Sequence, residues 1–413
     1  MDEPLEIVRS LMAQGMGRWR IAQEMSRILG RSVSRNTVRH WMDRVRLETP
    51  PSELASRLPD EVARAKEARN DRLLRELMRE RTRTEMILET LRQTVLAMPA
   101  MDAPMPLSLA TATGDAEEAV ALVSDVQIGQ VVDPVLTGGL GGYSLDVFRA
   151  RADRWTAAVA KITDLHRRAY PIPVLHLWML GDMCDGVMIY RGQEWHLEAT
   201  RLEQMLHGTQ IFAAAIVRLL QVYPRIEIVG LLGNHGREGR KGETRIDDNA
   251  DLMFYYVMSL LLSNYRDRVT IQIPQSWFTL ARVFDWRFLL VHGDDIRAWN
   301  QFPFYGLDRA DGRYTKMLAS IGHRYEYMCI GHHHHPAMID TPTGLQIANG
   351  SWVGTSDYAA KTMNVRSRAS QWFFGVHPRR GVTWRYQVQL EAAGDEDLVP
   401  RRRSWPEHME ILR

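Results

Sequence analysis

The sequence predicts an α/β fold, two sheets sandwiched between helices, preceded by a small all-α domain and a helical spacer. Three observations predict it. Up to Met98 the apolar residues recur only with helical periodicity, whereas from Ala119 short apolar runs alternate with amphipathic helices. Five of those runs stop on residues with ligand-type side chains. The later runs come in β-rich pairs.

The five endings set the order of the chain. Ala119 to Val123 runs into Ser124-Asp125-Val126-Gln127, and Val174 to Leu180 into Gly181-Asp182-Met183-Cys184-Asp185-Gly186. Ile226 to Leu232 ends in Gly233-Asn234-His235, Phe288 to Val291 in His292-Gly293-Asp294, and Tyr327 to Ile330 in Gly331-His332-His333-His334. A buried strand ending in a carboxylate presents it at the C-terminal edge of its sheet, where open α/β sheets carry their chemistry. One such ending is weak evidence, because carboxylates also cap turns. Five together are how a fold collects a metal site from distant sequence.

Between and after these runs, Ser144 to Tyr170, Ala199 to Val222 and Asp247 to Asn264 read as helices, the third apolar on most sides. The β-rich pairs are Val269–Ile273, Trp277–Val283 with Trp286–Val291, Ala337–Ile339 with Leu345–Ala348, and Gln371–Val376 with Val382–Leu390.

A length of 413 residues allows two or three domains with a large core. The only cysteines, Cys184 and Cys329, exclude a disulfide framework and a cysteine-ligated zinc site, and fit a reducing compartment. The acidic start Met1-Asp2-Glu3-Pro4 lacks the basic and apolar regions of a signal peptide. No run approaches the ~20 apolar residues of a membrane span. The expectation is a cytoplasmic protein without a membrane partner.

The net charge of +2 points to no partner, but its distribution does. Residues 1–47 hold nine arginines against five carboxylates, a formal +4. They read as three helices: Leu5, Val8, Leu11 and Met12 on the first; Ile21, Ala22, Met25 and Ile28 on the second, ended by Gly30; and Val33 to Trp41 leading the third, with Ser34 as N-cap. The pattern Ile21-Ala22-x-Glu24-Met25 followed by Val33-Ser34-x-x-Thr37-Val38-x-x-Trp41 resembles a helix-turn-helix of the resolvase and transposase type, with a longer connection before Val33 than the shortest versions. That resemblance puts Val38 and Trp41 in the core and Arg35, Asn36, Arg39 and His40 on the exposed face of a recognition helix, facing DNA phosphates and base edges. A helical protein-docking module with a solvated basic face is the alternative.

Pro50 and Pro51 mark a break, and residues 48–98 form the spacer. Leu74, Leu77, Leu88, Leu91 and Val95 hold heptad spacing that Arg81 and Thr84 interrupt. A coiled coil joining two chains and a solvated spacer helix both fit. Residues 99–117, with three prolines, read as a linker to a domain over 118–392, followed by a basic tail over 393–413.

The order Asp-x-Gln, Gly-Asp-x-x-Asp, Gly-Asn-His, His-Gly, Gly-His-x-His resembles the calcineurin-like metallophosphoesterase superfamily over roughly 119–390. It is most similar to the SbcD-type DNA repair exonucleases and to phage and prophage metallophosphoesterases, through Asp185-Gly186-x-x-Ile189-Tyr190-x-Gly192-Gln193, Gly233-Asn234-His235-Gly236-Arg237 and Asn349-Gly350-Ser351. The resemblance implies two divalent ions, Mn²⁺ foremost, with Mg²⁺, Fe²⁺ or Zn²⁺ as alternatives. One would take Asp125, Gln127, the bridging Asp182 and His334, the other Asp182, Asn234, His292 and His332. It gives His235 the phosphate or the leaving oxygen, and Asp185 the task of holding a ligand or turn. Mixed oxygen and imidazole donors suit such ions.

Two departures stand out. Gln127 occupies a place usually held by histidine, which implies a looser site. Gly236-Arg237 replaces the commoner acidic residue and, with Arg240 and Lys241, puts positive charge beside the site. Of the four consecutive histidines, His332 and His334 are the expected ligands, because alternate residues of an extended chain share a face. Arg297, Arg309, Arg313 and Lys316 interleave with Trp299, Phe302, Phe304, Tyr305 and Tyr314, which reads either as a nucleic-acid track or as core.

The sequence thus points to a two-metal phosphodiesterase, a DNA nuclease held to its substrate by the N-terminal module. The rival readings are a phosphoesterase of the same mechanism for small molecules or proteins, and a non-enzymatic DNA-binding protein with a vestigial phosphoesterase domain.

Overall fold

The computed structural model describes residues 3–48, part of 66–93, and 114–239, 241–296, 304–356 and 366–400. The chain divides into two compact units, Met1–Glu89 and Thr90–Arg413.

In the first unit, helices α1 (Glu3–Ala13), α2 (Arg18–Leu29) and α3 (Arg35–Glu48) enclose a core of Leu5, Val8, Leu11, Ile21, Ala22, Met25, Val38 and Val45. Gly30 closes α2 in the left-handed conformation, at φ 63°. Ser34 caps α3, its Oγ accepting from the Thr37 N–H at 3.1 Å. Because Val38 faces inward, Arg35, Asn36, Arg39 and His40 are left exposed, while Trp41 is half-buried. A fourth helix, α4, is helical at the described positions between 66 and 93, with Leu74, Met78 and Met86 exposed. Leu77, Leu91 and Val95 lie outside the described residues, as do Arg240, Arg297, Trp299, Phe302 and the basic tail from 401.

The second unit is the mixed α/β sandwich. One sheet has the order β11-β10-β1-β2-β3-β4, the other β5-β6-β7-β9-β8. In the first, β1 (Glu118–Val123), β2 (Val174–Met179), β3 (Arg225–Gly230) and β4 (Val269–Gln272) run parallel. The pair β10 (Ser370–His377) and β11 (Gly381–Gln389) closes that edge antiparallel. The second sheet comprises β5 (Phe278–Val283), β6 (Trp286–Val291), β7 (Tyr327–Ile330), β8 (Ala337–Thr341) and β9 (Gly344–Ala348). There β6, β7 and β9 are parallel, flanked by antiparallel β5 and β8.

Strand alternation sorts the side chains into layers. Ala119, Ala121 and Val123 pack toward helices α5 (Leu145–Arg167), α6 (Arg201–Leu219) and α7 (Ala250–Leu261), while Val120 and Leu122 pack between the sheets with Trp178, Phe288 and Phe374. The outer face of the second sheet is covered by α8 (Phe304–Ala319) through Leu307, Ala310, Tyr314 and Leu318. Tyr314 is therefore core, whereas Tyr305, Arg309, Arg313 and Lys316 are exposed. Helix starts follow their caps: Ser144 on α5, Asn249 on α7, and a full capping box of Thr200 with Glu203 on α6.

A buried charge cluster ties the segment after β11 to this layer. Asp395 accepts from Arg154 Nη2 at 2.8 Å and from Arg151 Nε at 3.4 Å. Arg151, 2% exposed, also donates to the carbonyls of Trp352 and Val353. The Trp352 N–H in turn donates to the Asp125 carbonyl at 3.0 Å, so the clasp reaches the site loop. Asp395→Ala should cost about 3–5 kcal/mol, because it leaves a buried guanidinium without its counter-charge. Urea denaturation checks this, and an unchanged midpoint would show that water already satisfies Arg151.

Candidate metal centre

The parallel strands β1, β2 and β3 end together, and β6 and β7 end together, so five endings converge at one rim of the sandwich. Contacts across the rim show it directly. His292 Nδ1 lies 2.7 Å from the Leu180 carbonyl, the Gly331 N–H donates to the His292 carbonyl at 3.0 Å, and the His332 N–H donates to both Asp125 oxygens at 3.0 Å.

The backbone here is bent in a way few residues tolerate. Asp125, Gln127, Asp182, His332 and His334 all have positive φ, between 50° and 65°. Among the described residues only Phe284 joins them as a non-glycine. Left-handed conformations of this kind cost of order 1–3 kcal/mol each and persist where the surroundings over-determine them, typically at functional sites. All five are residues expected to bind metal.

The side chains of the rim form two groups of contacts. His334 Nε2 lies 3.3 Å from Asp125 Oδ1 and 3.4 Å from the Gln127 amide nitrogen, which is 3.3 Å from His235 Nε2. His292 Nε2 lies 3.0 Å from Asn234 Oδ1 and 3.2 Å from Asp182 Oδ2. The donor atoms of Asp182, His292 and His332 all fall within 4.8 Å of one another. Asp182 Oδ1 accepts from the His235 N–H at 2.7 Å, whereas the buried Oδ2 has no hydrogen-bond partner. A buried carboxylate oxygen faced by imidazole nitrogens, His292 Nε2 at 3.2 Å among them, with an amide oxygen close by, is a donor set that fits a divalent cation. Gln127 meets this fit only with its amide turned by 180°, so that oxygen replaces nitrogen.

His235 and Asp185 pair beside this cluster. His235 Nδ1 is 2.8 Å from Asp185 Oδ1, and Asp185 also accepts from Gln193 Nε2 at 3.0 Å. Arg237 faces Asp294 at 2.7 Å, and Lys241 shares the same carboxylate oxygen at 3.2 Å, so two cations share one anion. His333, half-buried, leaves Nε2 without a hydrogen-bond partner, and burial pulls it down to about 4. Arg35, Asn36, Arg39 and His40 belong to the other unit. His166 stacks on Trp384, and His176 lies between Glu118 and Glu227; neither joins the site.

The charges are strongly interdependent. Burial alone would lower His292, but the Asp182 carboxylate overrides it and lifts His292 to about 10. Burial likewise opposes, and Asp182 with Asp185 outweighs it, in raising His235 to about 9. His332 falls to about 3, first through burial and then through the positive charge on His292. Asp182 is held below the carboxylate range, the histidines overcoming its desolvation.

Asp251 is the main site residue that sequence reasoning missed. Its carboxylate accepts the N–H groups of Asp182, Met183, Cys184 and Gly233 at 2.9–3.1 Å, and so fixes the two turns that carry Asp182 and Asn234. Burial, then repulsion from Asp182, pushes it up to about 6. Nothing local to residues 249–251 signals this, because the partners lie up to 69 positions away. Close backbone approach explains Gly233, where a Cβ would stand 2.1 Å from the Asp182 nitrogen. Asn349, which the sequence singled out as part of a motif without giving it a role, and Gln371, which it did not, support Ser124 with hydrogen bonds of 3.0 and 2.9 Å.

No protein-family model matches the chain, and no curated protein matches it. Similar solved structures include an archaeal phosphodiesterase at 10% identity, covering 65% of this chain and 99% of that one, with a TM-score of 0.31. A Vps29 of Entamoeba histolytica complexed with zinc gives 11% identity, 66% and 99% coverage and 0.28. A hypothetical protein of Pyrococcus horikoshii gives 12%, 68% and 92%, and 0.34. At these values the likeness assigns neither family nor activity. Among the described residues, no helix is long and apolar enough to cross a membrane.

The charge pattern predicts how metal uptake depends on pH. Without metal, His292 keeps its proton up to about pH 10, and a histidine ligand must be neutral. Binding a divalent ion at pH 7 should therefore release about one proton, and apparent affinity should rise by up to about tenfold per pH unit toward that value. Calorimetry in buffers of different ionisation enthalpy measures the release. Uptake without proton release would mean that His292 does not coordinate.

Proposed function

We propose that the second unit is a metal-dependent phosphoesterase of the calcineurin-like type, acting as a phosphodiesterase on DNA, with the first unit holding the nucleic acid. The observation that carries this reading is the convergence of seven oxygen and imidazole donors on one rim, five of them on left-handed backbone. Asp125, Gln127, Asp182 and His334 would hold one divalent ion, and Asp182, Asn234, His292 and His332 a second, with Asp182 shared. When bound, such ions neutralise phosphate oxygens and supply a hydroxide nucleophile near neutral pH.

The chain's own groups complete the chemistry. Asp185 accepts a hydrogen bond from His235 Nδ1 and, together with Asp182, keeps the ring charged, so that Nε2 can deliver a proton to the departing oxygen. Arg237 and Lys241, two cations on one carboxylate, leave a surplus positive charge that attracts phosphate. Gln127 brings no charge to its site, which fits a loosely held ion there. In the first unit, the exposed Arg35, Asn36, Arg39 and His40 on a +4 segment support contact with DNA backbone and bases.

His235→Ala should lower kcat on a chromogenic phosphodiester by roughly 10²–10⁴ while both ions stay bound. Loss of one ion in that variant would instead make His235 a ligand. Arg35→Ala combined with Arg39→Ala should weaken DNA binding and flatten its salt dependence by roughly 0.9 in log–log slope per lost phosphate contact. Affinity and slope that survive the double change would assign α3 to protein docking.

A further inference from the structure

A short segment leaves the metal centre directly after Asp185 and returns to it at Glu198, and its side chains are unusual for a surface loop. Met188 is 58% exposed, Tyr190 44% and Trp195 73%, with the exposed Arg191 between them. Large apolar groups held in water beside a reactive site point to something that covers them.

The segment is rigidly rooted at both ends. At its start, Gly186 has φ 71°, and a Cβ there would stand 2.1 Å from the His235 carbonyl oxygen, so the loop begins in contact with the His235 backbone. Gln204 of α6 clamps that glycine, accepting from its N–H at 3.0 Å and donating to its carbonyl at 3.2 Å. In the middle, the fully buried Gln193 donates to the Asp185 carbonyl at 2.7 Å and accepts from the Ile189 N–H at 2.8 Å, folding the loop onto its own stem. At its end, the His196 carbonyl accepts from the Val131 N–H at 2.7 Å, and the Glu198 N–H donates to the Gly129 carbonyl at 3.0 Å. The return stem is thus bonded to the segment that follows Gln127. Both stems of the loop are therefore anchored next to the centre, one on the His235 backbone and one on the residues just after Gln127.

We propose that Tyr190 and Trp195 form a stacking platform for unpaired bases of a nucleic-acid strand, positioning the adjoining phosphodiester at the metal centre. This rests on the reading of the site as a DNA phosphodiesterase and adds that the strand is single, or locally unwound, where it is cut. Stacking suits the residue types, because every base offers a π-face to an aromatic ring, and Arg191 adds a cation within the same short loop. The platform asks for no sequence, which leaves sequence preference to the first unit. A protein-docking surface needs no such rooting in Asp185 and His235.

The test uses the full-length chain with a 12-residue oligothymidylate and Mn²⁺. Trp195→Ala should raise KM by roughly tenfold or more, the usual worth of one base–aromatic stack, with kcat changed far less. Trp195→Phe, which keeps an aromatic face, should restore most of the affinity. Trp277→Ala, at another exposed tryptophan just before β5, should leave KM where it was. Binding is read separately by intrinsic fluorescence in the presence of a chelator, where the oligonucleotide should quench the wild type more than Trp195→Ala. A protein that cleaves the oligonucleotide with KM and quenching unaffected by Trp195→Ala overturns the platform and makes the loop a protein-docking surface. A protein that shows Trp195-dependent quenching but cleaves no phosphodiester upholds the platform and overturns the enzymatic reading.

Discussion

The charge of Asp182, at 1% exposure, is the constraint on which the rest of the centre depends. Desolvation would expel that charge or protonate it, yet the carboxylate is held ionised. What holds it is arranged on all sides: His292 against Oδ2, the His235 N–H on Oδ1, and the shared pull of both rings. The same charge lifts His292 and His235 and pushes Asp251 up. One buried carboxylate thus sets the protonation of His292, of His235 and of Asp251, which positions the turns.

Such an arrangement needs backbone that cannot relax. Five residues of the centre sit in the left-handed region, and their combined strain would release if the rim could shift. It cannot, because the two sheets pack face to face through Trp178, Phe288 and Phe374, and the rim loops are bonded to one another across the sandwich. The four backbone N–H groups on Asp251 and the chain running from Asp395 through Arg151 and Trp352 to Asp125 extend that restraint to both sides of the site. The strain at these five residues and the stiffness of the sandwich are therefore one design.

Much of this was legible in the sequence, because the signals are local. Apolar runs fixed the strands to within one or two residues: Tyr327–Ile330 and Trp286–Val291 match the structure residue for residue, and the helices begin at the caps Ser144, Thr200 and Asn249. The strand-end carboxylates and imidazoles converge as their positions implied. What the sequence hid is what depends on distance. Asp251 looks like an ordinary helix-start carboxylate until its partners on two other loops are seen. Tyr314 looks like a base-stacking candidate until helical phase turns it into the core. Arg237 reads as a free cation, and only the fold sets Asp294 against it.

The central claim is that this rim holds two divalent ions about a shared carboxylate. The most direct measurement is anomalous X-ray scattering from crystals grown with Mn²⁺, combined with the metal content of the same protein by mass spectrometry. Two anomalous peaks, one on each side of Asp182 and in contact with the donors assigned above, with two ions per chain, are the predicted result. A single peak, or peaks that avoid Asp182, would contradict it.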